Sequence, residues 1–436
     1  MPSSRPDSDT GLKLLAVGDL HLGRRPTRLP EDLAGMGGDF GPGQAWERLV
    51  NRAIEEGVEA VALAGDVVDR EDHYYEAYRQ LQAGVMKLTE AGIRVLGVVG
   101  NHDVAVLPRL ADQIPEFELL GRDGQWECST IHARGESVHL WGWSFPAPRV
   151  TDSPLAGHVF ELRPDGPNLG LLHCDRDQPG SAYAPVGSRE LESAGLDGWL
   201  LGHIHRPDAL AAPHPNGYLG SVTGLHPGEY GDRGPWLIRV RAGRIESMDQ
   251  WIQAPLRYAR LDLDLTELDE PEQARGHLLE AVRDLDKRLA TLDTPPEATG
   301  LRIRLTGRCR FGEAVLDLFS DDDRAHLFSS NGGSRYFVEQ LVSATRPEID
   351  LEKLAREPTP PGLLARKLLL LDEPDENAER QSMIDQARHR LREQAGKSRW
   401  NELSVDPPDP ISTAEYLRES GLRLLERLLA QRQEET

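Results

Sequence analysis

Five short polar blocks interrupt the first half of this chain, each at the end of a hydrophobic run. They are Gly18-Asp19-Leu20-His21, Gly65-Asp66-Val67-Val68-Asp69, Gly100-Asn101-His102-Asp103, Leu171-Leu172-His173 and Gly202-His203-Ile204-His205. Rigid strands that end in such blocks fix position, while the loops at their tips point side chains inward, which is the support a metal site needs. The pairs Asp19/His21 and His203/His205 stand at i and i+2, so in extended backbone both members face one side. The preceding glycines suit sharp turns where the backbone approaches closely. Singly the blocks are weak signals: GDxxD often marks a surface turn, HxH arises by chance, and a lone histidine such as His173 is more often structural. In series they predict a dinuclear metal hydrolase.

Between the blocks the chain alternates strand-like and amphipathic stretches. Leu12–Val17, Ala60–Leu63 and Arg94–Val99 read as strands, and Ala45–Glu56 and His73–Ala91 as helices. Short strands follow at His139–Trp143, Leu169–Leu172, Gly198–Leu201, Tyr218–Gly220 and Trp236–Val240, separated by Pro- and Gly-rich loops. This rhythm predicts an α/β fold: a β-sandwich of two mixed sheets flanked by helices. The expected organisation is a disordered N-terminus (1–11), an α/β domain carrying the ligand blocks (12–254), a small α+β module (255–348) and a helical C-terminal region (349–436). The module is read from alternation at Arg260–Leu265 and Leu301–Leu305 around a helix at Pro271–Leu292, with Asp321-Asp322-Asp323 and Asn331-Gly332-Gly333 as exposed loops. Beyond Pro358-Thr359-Pro360-Pro361-Gly362, helices are expected at Leu363–Leu371, Pro374–Ala395 and Ser412–Gln431, with Ser412 and Glu415 as a capping box for the last.

At 436 residues the chain exceeds one ordinary domain. Its three cysteines, Cys128, Cys174 and Cys309, give no disulfide framework and no zinc knuckle. No apolar run suggests a secretory signal or a membrane span, so a cytoplasmic protein without membrane attachment is expected. The net charge of −22 is spread over both halves, and the electrostatic footprint of a stand-alone nucleic-acid binder is missing. Affinity for a polyanion must then come from the metals, from local arginines or from a partner.

A phosphate ester resists hydrolysis because an anion must be attacked by a nucleophile. Two divalent ions about 3.5–4 Å apart neutralise that charge and acidify a water between them. Asp66 is the candidate bridging carboxylate. Asp19, His21 and His205 would complete one site, and Asn101, His173 and His203 the other. This mixed imidazole and oxygen set suits Mn²⁺, Fe or Zn²⁺ better than Mg²⁺ or Ca²⁺. His102 directly follows a ligand and so points elsewhere, toward the scissile phosphate, where it could stabilise charge and protonate the leaving oxygen. Asp69 or Asp103 could hold its ring, and Asp103 could equally cap a helix. His73, His132, His139 and His226 fit no block and are read as structural.

The series DLH, GDVVD, GNHD, H and GHIH resembles the calcineurin-like metallophosphoesterase superfamily. More narrowly, Asp19–Arg24 and Gly202–Pro207 resemble SbcD-type DNA repair exonuclease subunits, as do Tyr218–Glu229, Gly234–Val240 and, in the capping module, Leu301–Gly307. The resemblance implies the ligand set above and His102 as catalytic histidine. It also implies Mn²⁺-dependent exonuclease and endonuclease action on DNA, and an SMC-like ATPase of the SbcC type as partner, with a homodimer as a further expectation. Some related nucleases carry histidine where this chain has Asp69. A Gly-rich acidic loop (29–43) stands at the site's mouth. Arg24, Arg25 and Arg28 are placed to meet a substrate backbone, and Arg302, Arg304, Arg308 and Arg310 could line a strand face. The stripe Leu417, Leu424, Leu425, Leu428 and Leu429 could dock on its own protein or enter a partner's groove. Two other readings stand beside a nuclease: a phosphodiesterase or phosphomonoesterase for small substrates, and a structural subunit with an idle site.

Overall fold

In the first strand, Leu12, Leu14 and Ala16 pack into one apolar cluster while Leu15 and Val17 pack into another, so the strand is buried on both faces. That period-2 alternation recurs wherever the sequence is apolar and builds the layers. In chain order the strands of the two large sheets are β1 (Leu12–Val17), β2 (Ala60–Leu63), β3 (Arg94–Gly97), β4 (Phe117–Leu119), β5 (Glu127–Ala133), β6 (Glu136–Trp143), β7 (Asn168–His173), β8 (Gly198–Gly202), β9 (Asn216–Tyr218), β10 (Trp236–Arg241) and β11 (Arg244–Gln250). One sheet has the order β11-β10-β1-β2-β3-β4 and the other β5-β6-β7-β8-β9. Both are mixed: β1 to β4 are parallel while β10 and β11 are antiparallel additions, and β6 to β9 are parallel while β5 is antiparallel. Leu14, Ala62 and Leu96 from one sheet meet Leu140, Leu171 and Leu200 from the other in a shared core.

Val61, Leu63 and Val95 face the other way, into a cluster with two helices. Helix Pro42–Glu56 buries Ala45, Trp46, Leu49, Val50 and Ala53, an i, i+3/i+4 stripe. It begins three residues earlier than the apolar pattern suggests because Pro42 occupies its first turn, and it ends on Gly57 at φ 65°. Helix Tyr74–Glu90 lays Ala77, Leu81, Val85 and Leu88 on the same core. This is the two-sheet α/β architecture expected from the sequence.

The computed structural model describes residues 11–35, 40–69, 74–266, 268–309, 312–318, 328–329, 334–346, 349–395 and 409–434. Residues 1–10 of the expected disordered N-terminus, residues 36–39 of the Gly-rich loop, His73, Arg310, Asp321-Asp322-Asp323 and Asn331-Gly332-Gly333 lie outside them. The chain divides into two compact units, one comprising residues 1–264, 268–305 and 313–344, the other 265–267, 306–312 and 345–436.

The first unit contains a further sheet of β12 (Leu256–Asp264), β13 (Ala298–Thr306), β14 (Phe328–Ser329) and β15 (Arg335–Ser343), ordered β12-β13-β15-β14. Helix Gln273–Leu289 buries Leu278, Val282 and Leu285. In the second unit, helices Leu351–Ala355, Pro360–Leu370, Ala378–Ala395 and Pro410–Glu434 gather around Leu368, Leu371, Ile384 and Leu425. Leu417 and Leu429 pack against that cluster, so this part of the leucine stripe docks on its own unit. The cap of the last helix differs from expectation. Asp409, not Ser412, supplies the capping side chain: its carboxylate accepts the Ser412 amide at 2.9 Å, and the Ser412 hydroxyl donates to the same carboxylate. Pro410 opens the helix, which moves the capping position ahead of it.

Candidate metal centre

All five ligand blocks leave the C-terminal ends of parallel strands: β1, β2 and β3 in one sheet, β7 and β8 in the other. In open α/β sheets that edge is where loops converge on a ligand. Asp19, His21, Asp66 and His173 are all essentially buried there. His21 Nε2 lies 3.0 Å from His205 Nε2. On the other side, Asn101 Oδ1 lies 3.0 Å from His173 Nε2 and 3.1 Å from His203 Nδ1, and the two ring nitrogens are 3.3 Å apart. Asp66 stands between the two groups: its Oδ2 is 3.5 Å from His173 Nε2 and 3.8 Å from His21 Nε2. The structure thus brings together all seven expected ligand residues, with Asp66 in the shared position.

The i, i+2 pairs do not share a side through extended backbone, as the spacing had suggested. The strands end before them, and His21 (φ 51°) and His203 (φ 102°) turn through the left-handed region, as does Asp66 (φ 46°). Such conformations persist in non-glycine residues only where surroundings hold them. Here the holding bonds are the His21 amide to Asp66 O at 2.8 Å and the His203 amide to Asp19 Oδ1 at 2.8 Å. Gly65 is required for space as well as for its φ of 85°: a Cβ there would stand 2.7 Å from His173 Nδ1.

Each of the four imidazoles offers one nitrogen to the centre and has an acceptor near the other. His21 Nδ1 faces Asp69 at 3.2 Å, His173 Nδ1 faces Ala64 O at 3.1 Å, His203 Nε2 faces Asp175 at 3.1 Å and His205 Nδ1 faces Glu229 at 2.7 Å. Acceptors in this position fix ring orientation and tautomer and raise ligand basicity. Nothing in the sequence marks Asp175 or Glu229 strongly as part of the site. Their signal is slight: Asp175 follows His173 by two residues, and Glu229 closes the segment Tyr218–Glu229. These carboxylates lower the positive charge that two cations would leave, and Arg24, 3.5 Å from Asp69, and the buried Arg233 beside Glu229 offset them in part.

Burial opposes the charge on Asp66, but His173, His21 and His102 and the His102 amide hold its pKa below the ordinary carboxylate value. Burial likewise opposes ionisation of Glu229, yet the bond to and charge of His205, the Leu225 amide and the Arg233 charge together hold it at about 2. Burial lowers the pKa of His203; for His205 burial acts the same way, but the Glu229 bond and the charges of Asp19 and Glu229 together outweigh it and the pKa rises. Asp103 is pushed well above the usual range by burial and by the Asp66 charge. Its carboxylate accepts the amides of Val67 and Gly100, each at 2.7 Å, and of Val68 at 3.4 Å, so it staples the two ligand loops. The sequence offers Asp103 as a partner for the His102 ring, but its oxygens go to backbone, because three amides converge where the loops cross. Asp69, the other candidate, turns to His21 and Arg24. His102 donates its amide to Asp66 Oδ1 at 3.0 Å and keeps an exposed ring whose centroid lies 5.5 Å from that of His21.

The residues fit a pair of cations. Asp19 Oδ2 is buried without a hydrogen-bond partner, and donor atoms of Asp19, His21 and His205, and of Asp19, Asp66 and His173, all lie within 4.8 Å of one another. Cations with bonds of about 2.0–2.2 Å to N and O ligands require such spacings.

The arginines expected on a strand face are largely paired. Arg302 donates to Gln340 at 3.0 Å and meets Glu339 at 3.2 Å, and Arg304 grips Asp262 with two bonds of 3.0 and 2.8 Å. Arg308 stands 3.4 Å from Glu426, and Arg28 meets Glu339 at 3.0 Å. Of the remaining histidines, His139 is buried between Thr130 and Asp165, while His226 approaches Glu229 at 3.2 Å.

Residues 12–207 match the family described as calcineurin-like phosphoesterase. The uncharacterized metallophosphoesterase YhaO of Bacillus subtilis is 29% identical over 202 residues, covering 45% of this chain and 49% of that protein. The DNA double-strand break repair protein Mre11 of Aeropyrum pernix is 36% identical over 271 residues, covering 58% of this chain and 64% of that protein. The chain thus spans about half to under two thirds of the length of these curated relatives. Among solved structures, the calcineurin-like phosphoesterase YfkN from Bacillus subtilis covers 64% of this chain and 98% of its own at 11% identity, with a TM-score of 0.36, too low to bear on the site. No helix among the described residues is long and apolar enough to cross a membrane. With its ligand edge and its match over residues 12–207, the chain carries a calcineurin-like phosphoesterase domain, a hydrolase domain of the metallophosphoesterase superfamily.

Proposed function

We propose that this protein is a DNA nuclease subunit of DNA repair, cleaving phosphodiester bonds as an exonuclease and endonuclease with an SMC-like ATPase of the SbcC type as partner. The observation that carries this reading is the convergence of four imidazoles and three oxygen ligands on one loop edge with the His102 ring open beside them. The similarity to Mre11 over 271 aligned residues supports DNA as the substrate. Residues 255–348 are proposed as a capping module and 349–436 as the partner-binding region, and a homodimer is part of the same reading.

Asp19, His21 and His205 would hold one divalent cation and Asn101, His173 and His203 the other, with Asp66 shared. Mn²⁺ is proposed, with Fe or Zn²⁺ as alternatives that the same donors accept. When bound, such a pair supplies charge neutralisation and an acidified water. His102 does the rest from the side. Burial lowers its pKa, so at neutral pH the ring is chiefly neutral, and its N–H donates to an oxygen of the scissile phosphate or to the leaving oxygen. Asp69 steadies His21 and draws Arg24 to the rim, and the exposed Arg25 is placed to take a neighbouring phosphate.

The test is Mn²⁺-dependent cleavage of end-labelled linear duplex DNA against hydrolysis of bis-p-nitrophenyl phosphate, for wild type and His102→Ala, with and without the ATPase. Cleavage of DNA that disappears in the variant while metal content is unchanged supports the reading. Duplex and hairpin DNA left intact under every condition overturns it. A small-substrate phosphodiesterase is the second reading, favoured by the net charge of −22 and by the pairing of Arg302 and Arg304 with acidic or amide groups. Efficient turnover of the small diester with DNA intact, ATPase present, selects it.

A further inference from the structure

A closed polar network surrounds Glu229 and ends on a single metal-facing ring. Glu229 Oε1 stands 2.7 Å from His205 Nδ1 and 3.2 Å from His226 Nε2, while its Oε2 accepts the Leu225 amide at 2.9 Å and lies 3.5 Å from the Ser221 hydroxyl. With both oxygens engaged, the carboxylate has one orientation. Arg233, 1% exposed, donates from Nε to Glu229 O at 3.0 Å and from Nη1 to Ser221 Oγ at 2.8 Å and to His205 O. One guanidinium therefore ties the backbone of the ligand to the backbone of its acceptor. The segment is clipped in turn to β12, through the Gly224 amide to Leu256 O at 3.1 Å and the Gly231 amide to Tyr258 O at 3.0 Å.

We propose that Glu229 is the positioning residue for one half of the metal centre, fixing the His205 ring so that Nε2 faces His21 and Asp19. The inference rests on the dinuclear reading above and deepens it. Imidazole on a loop has two ring orientations and two tautomers, and only one combination offers a lone pair at Nε2 toward the centre. A carboxylate at Nδ1 selects that combination before any cation arrives. The other half does not depend on this network: His173 is backed by the Ala64 carbonyl, and His203 by Asp175, whose amide bonds Tyr183 O at 2.9 Å.

Calorimetric titration of the full chain with Mn²⁺, for wild type, Glu229→Ala and Glu229→Gln, tests this. Two binding events are expected in wild type. In Glu229→Ala one event weakens by about 10–100-fold and the other keeps its affinity. Glu229→Gln, which retains an acceptor oxygen without the charge, falls between. The inference is overturned if both events keep wild-type affinity in the variants, or if both weaken alike while circular dichroism and melting stay native. Should Glu229→Ala fail to fold, the near-isosteric Glu229→Gln decides: two unchanged events overturn the inference, one selectively weakened event supports it. If wild type binds no Mn²⁺, the dinuclear reading itself falls and the inference with it.

Discussion

The phosphoesterase sheets and the C-terminal helices handle polar groups in opposite ways. Between residues 12 and 250, Asp19, His21, Asp66, Asp103 and His173 sit inside an apolar core, and neighbours across the loops direct their polar atoms, apart from Asp19 Oδ2, which faces the candidate centre without a hydrogen-bond partner. Between residues 349 and 434 the buried cluster is small, and Leu363, Ile411, Tyr416 and Leu424 remain exposed. Charged groups there pair on the surface, as Arg418 does with Asp372 and Arg423 with Glu419. Buried polar groups are costly unless satisfied, so a region that carries them must be rigid enough to satisfy them permanently. The first region satisfies most of them and holds the candidate metal centre. The second obtains its stability from a few apolar contacts and helix ends.

Substitutions can break this contrast, beginning with the most severe. Asp66→Asn removes the shared carboxylate charge and is expected to cost more turnover than the roughly 10–100-fold that loss of an outer partner costs. Metal analysis of the purified variant should show depletion at both sites, and full occupancy would refute the bridging role. His102→Ala should lower turnover by about 10²–10⁴-fold with metal content intact; parallel loss of metal would make His102 a ligand instead. In the stability measurements, Leu171→Ala opens a cavity between the two sheets, where little can collapse, and should cost about 2–5 kcal/mol, read by denaturant unfolding. Leu425→Ala is expected at the low end of that range and should leave Mn²⁺ binding unchanged. If it disturbs metal binding, the two regions are not independent. Smallest of all, Arg304→Ala removes an exposed pair with Asp262 and should leave the melting temperature unmoved.

Much of the first region is legible from its sequence because its signals are periodic or closely spaced. Leu12–Val17 and Ala60–Leu63 are short, nearly unbroken apolar runs, and their bounds agree with the strands formed. The ligands announce themselves because strand ends confine them to short blocks. What escapes notice are single residues that meet the site through folding alone. Glu229 reaches His205 across 24 residues of chain, and Arg233 reaches it across 28, without any spacing rule to mark either. Strands β4, β5 and β11 also escape the sequence pattern. Glu127–Ala133 and Arg244–Gln250 are half-exposed strands rich in polar residues, so their apolar alternation is faint. Asp103 shows the limit differently: its neighbourhood was legible, but the three amides it accepts become visible only when the loops cross.

The left-handed backbone at Asp66 bears on how such a site decays over generations. Asp and Asn enter that conformation several-fold more readily than other non-glycine residues, and glycine enters it freely. Glutamate would keep the carboxylate and lose the backbone preference, so the position is constrained twice, once as a ligand and once as a turn. Lineages that abandon the chemistry yet keep the fold are therefore expected to carry Asn or Gly at this position rather than Glu or a bulky residue, a fingerprint of lost activity that can be read without an assay.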